Sequence, residues 1–235
     1  MGSWARMHKK NWLIKDSSGR AKEISQAVAI PEIVAKVLIN RQIDTADQIL
    51  TFLNPKLSDL ISPDLMPGVK QAVKVIKNAI DKKQSIYIYG DYDVDGITSC
   101  AILIQLLNVL GAKVDFYIPD RIEEGYGLND EAVNQLAGLG AELIITVECG
   151  ITAINQAQMI KDKGISLVIT DHHQLSDRLP VADAIVHPRL DLSYPNQDSS
   201  GALVTMKLAW AIANEYKTEP KFASQMRQTL LKATT

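Results

Sequence analysis

The sequence predicts an α/β fold, with a parallel five-stranded sheet flanked by helices and a mostly helical region ahead of it. Three observations carry that expectation. Five short runs, within Ser85–Tyr89, 113–118, 142–147, 165–170 and 184–187, are rich in apolar, β-branched and aromatic residues rather than alternating apolar with polar. Strands of that kind are buried on both faces, which is the habit of parallel sheets. Helical stretches separate them, as parallel crossovers require. The pattern also changes near residue 84, so a mostly helical region 1–83 and an α/β domain 84–235 are expected.

Residues 1 to about 20 read as an irregular lead-in with Trp4 and Trp12 as docking aromatics. From Pro31 to about Leu53, apolar residues such as Ile33, Val34, Val37 and Leu38 recur at three- and four-residue spacing, which is helical. Thr45-Ala46-Asp47-Gln48 has the form of a capping box opening a second helix. Pro55, Pro63 and Pro67 predict turns, and a further helix is expected from Val69 to about Lys82. Between the strands, helices are expected over 97–110, from an Asn129 cap to about Leu139, and over 153–163. A long helix over 200–216 follows the last strand.

Hydrophobic residues make up 46% and charged residues 22% of the 235, enough apolar chain for a sizeable core. The net charge of −2 excludes a globally basic nucleic-acid surface, so contact with a polyanion has to be local or helped by cations. Residues 1–41 do hold eight Lys and Arg against three acids, which fits a solvated helix surface better than a binding face. Cys100 and Cys149 lie in apolar surroundings and read as reduced, buried thiols. With no apolar stretch of membrane-spanning length and no signal-like start, a soluble, cytoplasmic protein without membrane contact is expected.

In open parallel sheets the ligand site lies beyond the carboxyl ends of the strands. Polar clusters fall at those ends. Gly90-Asp91-Tyr92-Asp93-Val94-Asp95-Gly96 follows the first strand, and its three alternate carboxylates would point one way if the segment stayed extended. Like charges packed together call for cations, and hard divalent ions take oxygen ligands. A solvated acidic loop or a helix cap would account for the same residues. Glu148-Cys149-Gly150 follows the third strand and Asp171-His172-His173 the fourth, supplying imidazoles for metal ligation or proton transfer. After the fifth strand, Arg189 in His187-Pro188-Arg189 is either a phosphate partner or an exposed turn residue.

The run from Ile88 through Gly-Asp-Tyr-Asp-Val-Asp-Gly to Thr98, Asp171-His172-His173, and the helix start Ser200-Gly201-Ala202 resemble the DHH phosphoesterase superfamily. Pro119-Asp-Arg-Ile-Glu-Glu-Gly-Tyr-Gly-Leu128, the lead-in with Trp12 and Phe52-Leu53-Asn54-Pro55 are similar to its RecJ branch. The resemblance spans nearly the whole chain. It implies a phosphodiesterase that uses two Mn2+ or Mg2+ ions and degrades single-stranded DNA from the 5′ end in repair and recombination.

By that resemblance Asp93, Asp95, Glu148 and His172 are metal ligands, with Glu148 at the position of a bridging Asp. His173 faces the scissile phosphate, Asp91 is a supporting catalytic acid, and Arg121 contacts the strand, to which the position of Arg189 after the fifth strand adds a second candidate contact. Two departures stand out. Tyr89 sits where the wider superfamily often has His, and Glu148 replaces Asp. One methylene moves a carboxylate by about 1.5 Å, against a ligand-distance tolerance of about ±0.2 Å, so weaker bridging is expected. The family's further ligand, in a Gly-Thr-x-Ala-Asp segment after a helix ending like Leu230-Leu231-Lys232, is expected beyond Thr235, as are nucleic-acid-binding domains, which makes the chain a truncated form. Two alternatives are a non-catalytic module that binds metal or a partner, and a phosphodiesterase for short oligonucleotides or cyclic dinucleotides.

Overall fold

The computed structural model describes residues 18–218. The chain divides into two compact units, Met1–Leu60 and Ile61–Thr235. In the first, α1 (Ser18–Val28), α2 (Glu32–Asn40) and α3 (Ala46–Leu53) enclose a small core of Ala21, Ile24, Ala35, Leu38 and Ile49. Thr45 opens α3 as its pattern predicts: its hydroxyl accepts from Gln48 N–H while the Gln48 side chain accepts from Thr45 N–H. The start of α1 falls where an irregular lead-in was expected. Its signal was present, since Ala21, Ile24 and Val28 share one helical face. Trp4 and Trp12 lie outside the described residues.

The second unit begins before the expected 83/84 division, because α4 (Val69–Asp81) packs on the α/β part. Its strands are β1 (Ser85–Tyr89), β2 (Lys113–Tyr117), β3 (Leu143–Val147), β4 (Ser166–Thr170) and β5 (Ala184–Val186). All pair in parallel, in the order β2-β1-β3-β4-β5. On one face lie α4, α5 (Val94–Val109) and α8 (Gly201–Glu215). On the other, α6 (Asp130–Gly138) and α7 (Ile154–Asp162) cover a core that includes Tyr89, Val133, Leu136, Ile144, Ile160 and Ile169. Central β3 is buried at every position, whereas edge strand β2 exposes Lys113, Asp115 and Phe116. The fully apolar reading of the strands therefore holds at the centre and fades at the edge.

Gly68, ahead of α4, shows how tightly the layers close. Its φ is 81°, and a Cβ there would lie 1.8 Å from the Ile185 carbonyl oxygen of β5. Only glycine satisfies both demands. The sheet reverses direction between β1 and β3, with β2 on one side and β4 and β5 on the other. That reversal opens a crevice at the carboxyl ends of β1 and β3, the place where such sheets hold ligands. Among the described residues no helix is long and apolar enough to cross a membrane.

Candidate active site

The acids after β1 do not form one extended row. The chain turns into α5 at Val94 because Asp93 serves as its N-cap, its carboxylate accepting from Gly96 N–H at 2.8 Å. Asp95 therefore sits in the first helical turn, where its Oδ2 accepts from the N–H of Gly201 at the start of α8. Asp91 is buried just before the turn. Its Oδ1 accepts from Tyr92 N–H at 2.7 Å, and burial, partly offset by that bond, pushes its carboxyl above the ordinary range. Each of the three acids thus faces a different neighbour, although all stay at the same sheet end.

Glu148 follows β3 with a left-handed backbone, φ 65°. Asn, Asp and Gly adopt that conformation more readily than Glu. Its side chain is buried and lies against Gly201, where an added Cβ would come within 1.2 Å of Oε1. This Oε1 is 3.2 Å from His172 Nε2 but accepts no hydrogen bond. Burial, reinforced by Asp95, pushes the Glu148 carboxyl up to about 8, with His173 pulling the other way.

Asp171 follows β4 and is equally buried, yet its oxygens are well supplied with donors. Oδ1 accepts from His172 N–H, His173 N–H and His173 Nδ1–H, and Oδ2 accepts from Ile151 N–H. Burial alone would raise its carboxyl; these bonds outweigh it and hold Asp171 below the ordinary carboxylate range. The 2.7 Å bond to Asp171 in turn raises His173, against the opposing effect of burial.

The Tyr126 hydroxyl donates to the Glu148 carbonyl at 3.2 Å and sits 3.2 Å from His173 Nε2. Which of the two groups donates in that contact follows the tautomer of His173. Behind it, His187 is buried. Its Nε2–H donates to the His173 carbonyl at 2.8 Å and its Nδ1 accepts from Arg189 N–H. Burial lowers the His187 pKa, which suits this neutral form.

Glu148, His172 and His173 bring their ligand atoms within 4.8 Å of one another, a grouping able to hold a cation. Asp93 and Asp95 are outside that group but act on Glu148 electrostatically. Arg121 stacks over the Tyr92 ring at 5.3 Å and lowers the Asp91 pKa, so it lies on the Asp91 side. Arg189 pairs with the exposed carboxylate of Asp198 at 2.8 Å. Asp171, Tyr126, His187 and Gly201 were not singled out as site residues from sequence, although each lies within or beside a motif that was. A cavity of 450 Å³ opens beside His173 and Tyr126, between the start of α7 and the loop after β4.

Comparison with known proteins agrees with this architecture. The DHH family, N-terminal domain, matches residues 85–234. The single-stranded-DNA-specific exonuclease RecJ of Bacillus subtilis is 41% identical over 213 residues, covering 90% of this chain and 27% of that protein. Its counterpart in Escherichia coli is 32% identical, covering 78% of this chain and 31% of that protein. A crystal structure of exonuclease RecJ bound to manganese superposes with a TM-score of 0.61 at 32% identity, over 71% of this chain and 43% of that one. RecJ from Thermus thermophilus in complex with Mn2+ gives 0.67 at 26% identity, over 92% and 30%. The chain spans less than a third of the length of these curated relatives. From the match over residues 85–234 and the fold it shares with these structures, the chain belongs to the DHH family.

Proposed function

We propose that this chain carries the DHH part of a metal-dependent phosphodiesterase that releases nucleotides from the 5′ end of single-stranded DNA, in DNA repair and recombination in the cytoplasm. The observation that carries the reading is the buried Glu148 oxygen without a hydrogen-bond donor, beside two imidazoles at the sheet's point of reversal. A buried carboxylate in that condition is costly unless a cation meets it. The donor set of carboxylates and imidazole suits Mn2+ or Mg2+. Asp93, Asp95, Glu148 and His172 would hold the ions, and the similar RecJ structures bound to manganese support manganese as the metal.

Two such cations, when bound, lower the pKa of the attacking water and offset charge on the leaving oxygen. The rest falls to this chain's side chains. His173, whose pKa Asp171 raises, brings positive charge to an oxygen of the scissile phosphate. Tyr126 and His187 fix the ring and its backbone. Asp91 anchors the turn into α5, and Arg121 adds positive charge for the strand. Arg189 is a more distant strand contact that would have to leave Asp198.

Incubating the chain with 5′-phosphorylated single-stranded DNA and manganese tests the reading, alongside Glu148→Asp and a His172→Ala/His173→Ala control. Nucleotide release that disappears in the control is the expected result. No release by the chain or by Glu148→Asp, with either manganese or magnesium, would sink it. Release by Glu148→Asp alone would instead favour a metal-binding module in which the longer Glu148 side chain has displaced catalysis.

A further inference from the structure

We propose that the 450 Å³ cavity beside His173 is a binding site for one nucleoside, base and sugar, adjoining the phosphate that His173 faces. The assignment rests on the phosphodiesterase reading above. The cavity lies apart from the acid cluster: His173 and Asp171 form one wall, while Asp93, Asp95, Glu148 and Arg121 do not line it. A ligand there would therefore meet His173 without touching Asp93, Asp95 or Glu148. Its volume falls in the range of small-molecule sites, roughly 300–1,000 Å³.

The chemistry of the walls selects the ligand class. Among the described residues no Lys or Arg lines the cavity, and the one acid, Asp171, already spends both oxygens on internal donors. Beyond His173, which the scissile phosphate engages in the reading above, a second phosphate would therefore find no countercharge there, whereas a neutral heterocycle needs none. Thr152, Gln156 and Gln174 bring a hydroxyl and two amides, each able both to donate and to accept, as base edges require. Gln156 is oriented by Asp130, to which its Nε2–H donates at 2.8 Å. The half-exposed ring of Tyr126 offers a stacking face at the mouth, and aromatic stacking tolerates any base.

The test uses the metal-free chain, with deoxyadenosine as probe and inorganic phosphate in parallel. The side-chain amide resonances of Gln156 and Gln174 are expected to move with deoxyadenosine and stay still with phosphate. Thr152→Trp, at an exposed loop position, should fill the space and weaken nucleoside affinity on the order of tenfold or more, with Mn2+ affinity unchanged. Gln174→Ala, also exposed, provides a second variant should the first fail to fold, with a few-fold weakening expected. Amides that stay still in the unaltered chain, or a Gln156 amide that moves equally in both variants, overturn the assignment. Manganese-dependent DNA hydrolysis with unmoved amides would overturn the cavity alone. Moving amides without hydrolysis would uphold the nucleoside site and overturn the catalytic reading.

Discussion

Glu148 and Asp171 stand at the ends of adjacent parallel strands, β3 and β4, and both are almost completely buried. Yet one carboxyl is pushed up to about 8 and the other is held below the ordinary range. Burial raises both, so burial does not separate them. Donors do: Asp171 receives three backbone N–H groups and an imidazole, whereas Glu148 Oε1 receives none. The first is framework that orients His173. The second is a buried carboxyl whose Oε1 has no donor, the oxygen proposed above to meet a cation. Two acids at equivalent places in one sheet thus differ in how far the protein itself satisfies them.

The strongest way to break this contrast is Gly201→Ala. The new Cβ would collide with the Glu148 carboxylate, and Mn2+ affinity should fall by roughly 10- to 100-fold, the cost of disturbing a ligand's support. Unchanged affinity in calorimetry would mean that Gly201 does not set the place of Glu148.

Asp171→Asn tests the other acid. It should cost about 2–3 kcal/mol in urea unfolding, since buried donors lose a charged acceptor. Because the Asp171 pKa is lowered in the folded state, its contribution is complete above the ordinary carboxylate range and lost as pH falls through the lowered value. Wild type should therefore lose stability in acid more steeply than Asp171→Asn. In the same variant His173 should deprotonate at lower pH, which imidazole NMR would detect.

Glu148→Gln sharpens the comparison in the opposite direction. The folded carboxyl titrates near 8 against an ordinary 4.5, so metal-free stability should decline as pH rises between those values. The Gln variant should escape the decline and, above about pH 8, be more stable by on the order of 1–3 kcal/mol. A parallel pH profile for the two proteins would show that Glu148 is not strained by its site. Tyr126→Phe should have the smallest effect, about 1 kcal/mol or less, since it removes one hydroxyl shared by the Glu148 carbonyl and His173. Nucleotide release should slow only a few-fold.

Much of this was legible in the residues. Five apolar runs predicted five parallel strands, and the acids and imidazoles at their carboxyl ends marked the candidate site because parallel sheets put ligands there. What could not be read was local and three-dimensional. Spacing alone suggested that Asp91, Asp93 and Asp95 form a row, but a single cap bond from Gly96 N–H to Asp93 turns the chain into α5 and spreads them. The role of Gly201 depends on a neighbour 53 positions away in sequence, a separation no local pattern encodes. Tyr126 lay inside a run that matched the family, but nothing in its surroundings along the chain says that its hydroxyl reaches Glu148 and His173.

The sheet's reversal between β1 and β3 also bears on how the protein folds. Asp93 and Asp95 come from one side of that reversal, Glu148 from the other, with the whole excursion through β2 and α6 between them. Non-local pairing of this kind closes late, after local helices have formed. A cation that needs both sides would find no complete site in early folding states, so its binding energy is added to the native state alone. Refolding followed by cation uptake should then lag behind the recovery of helix.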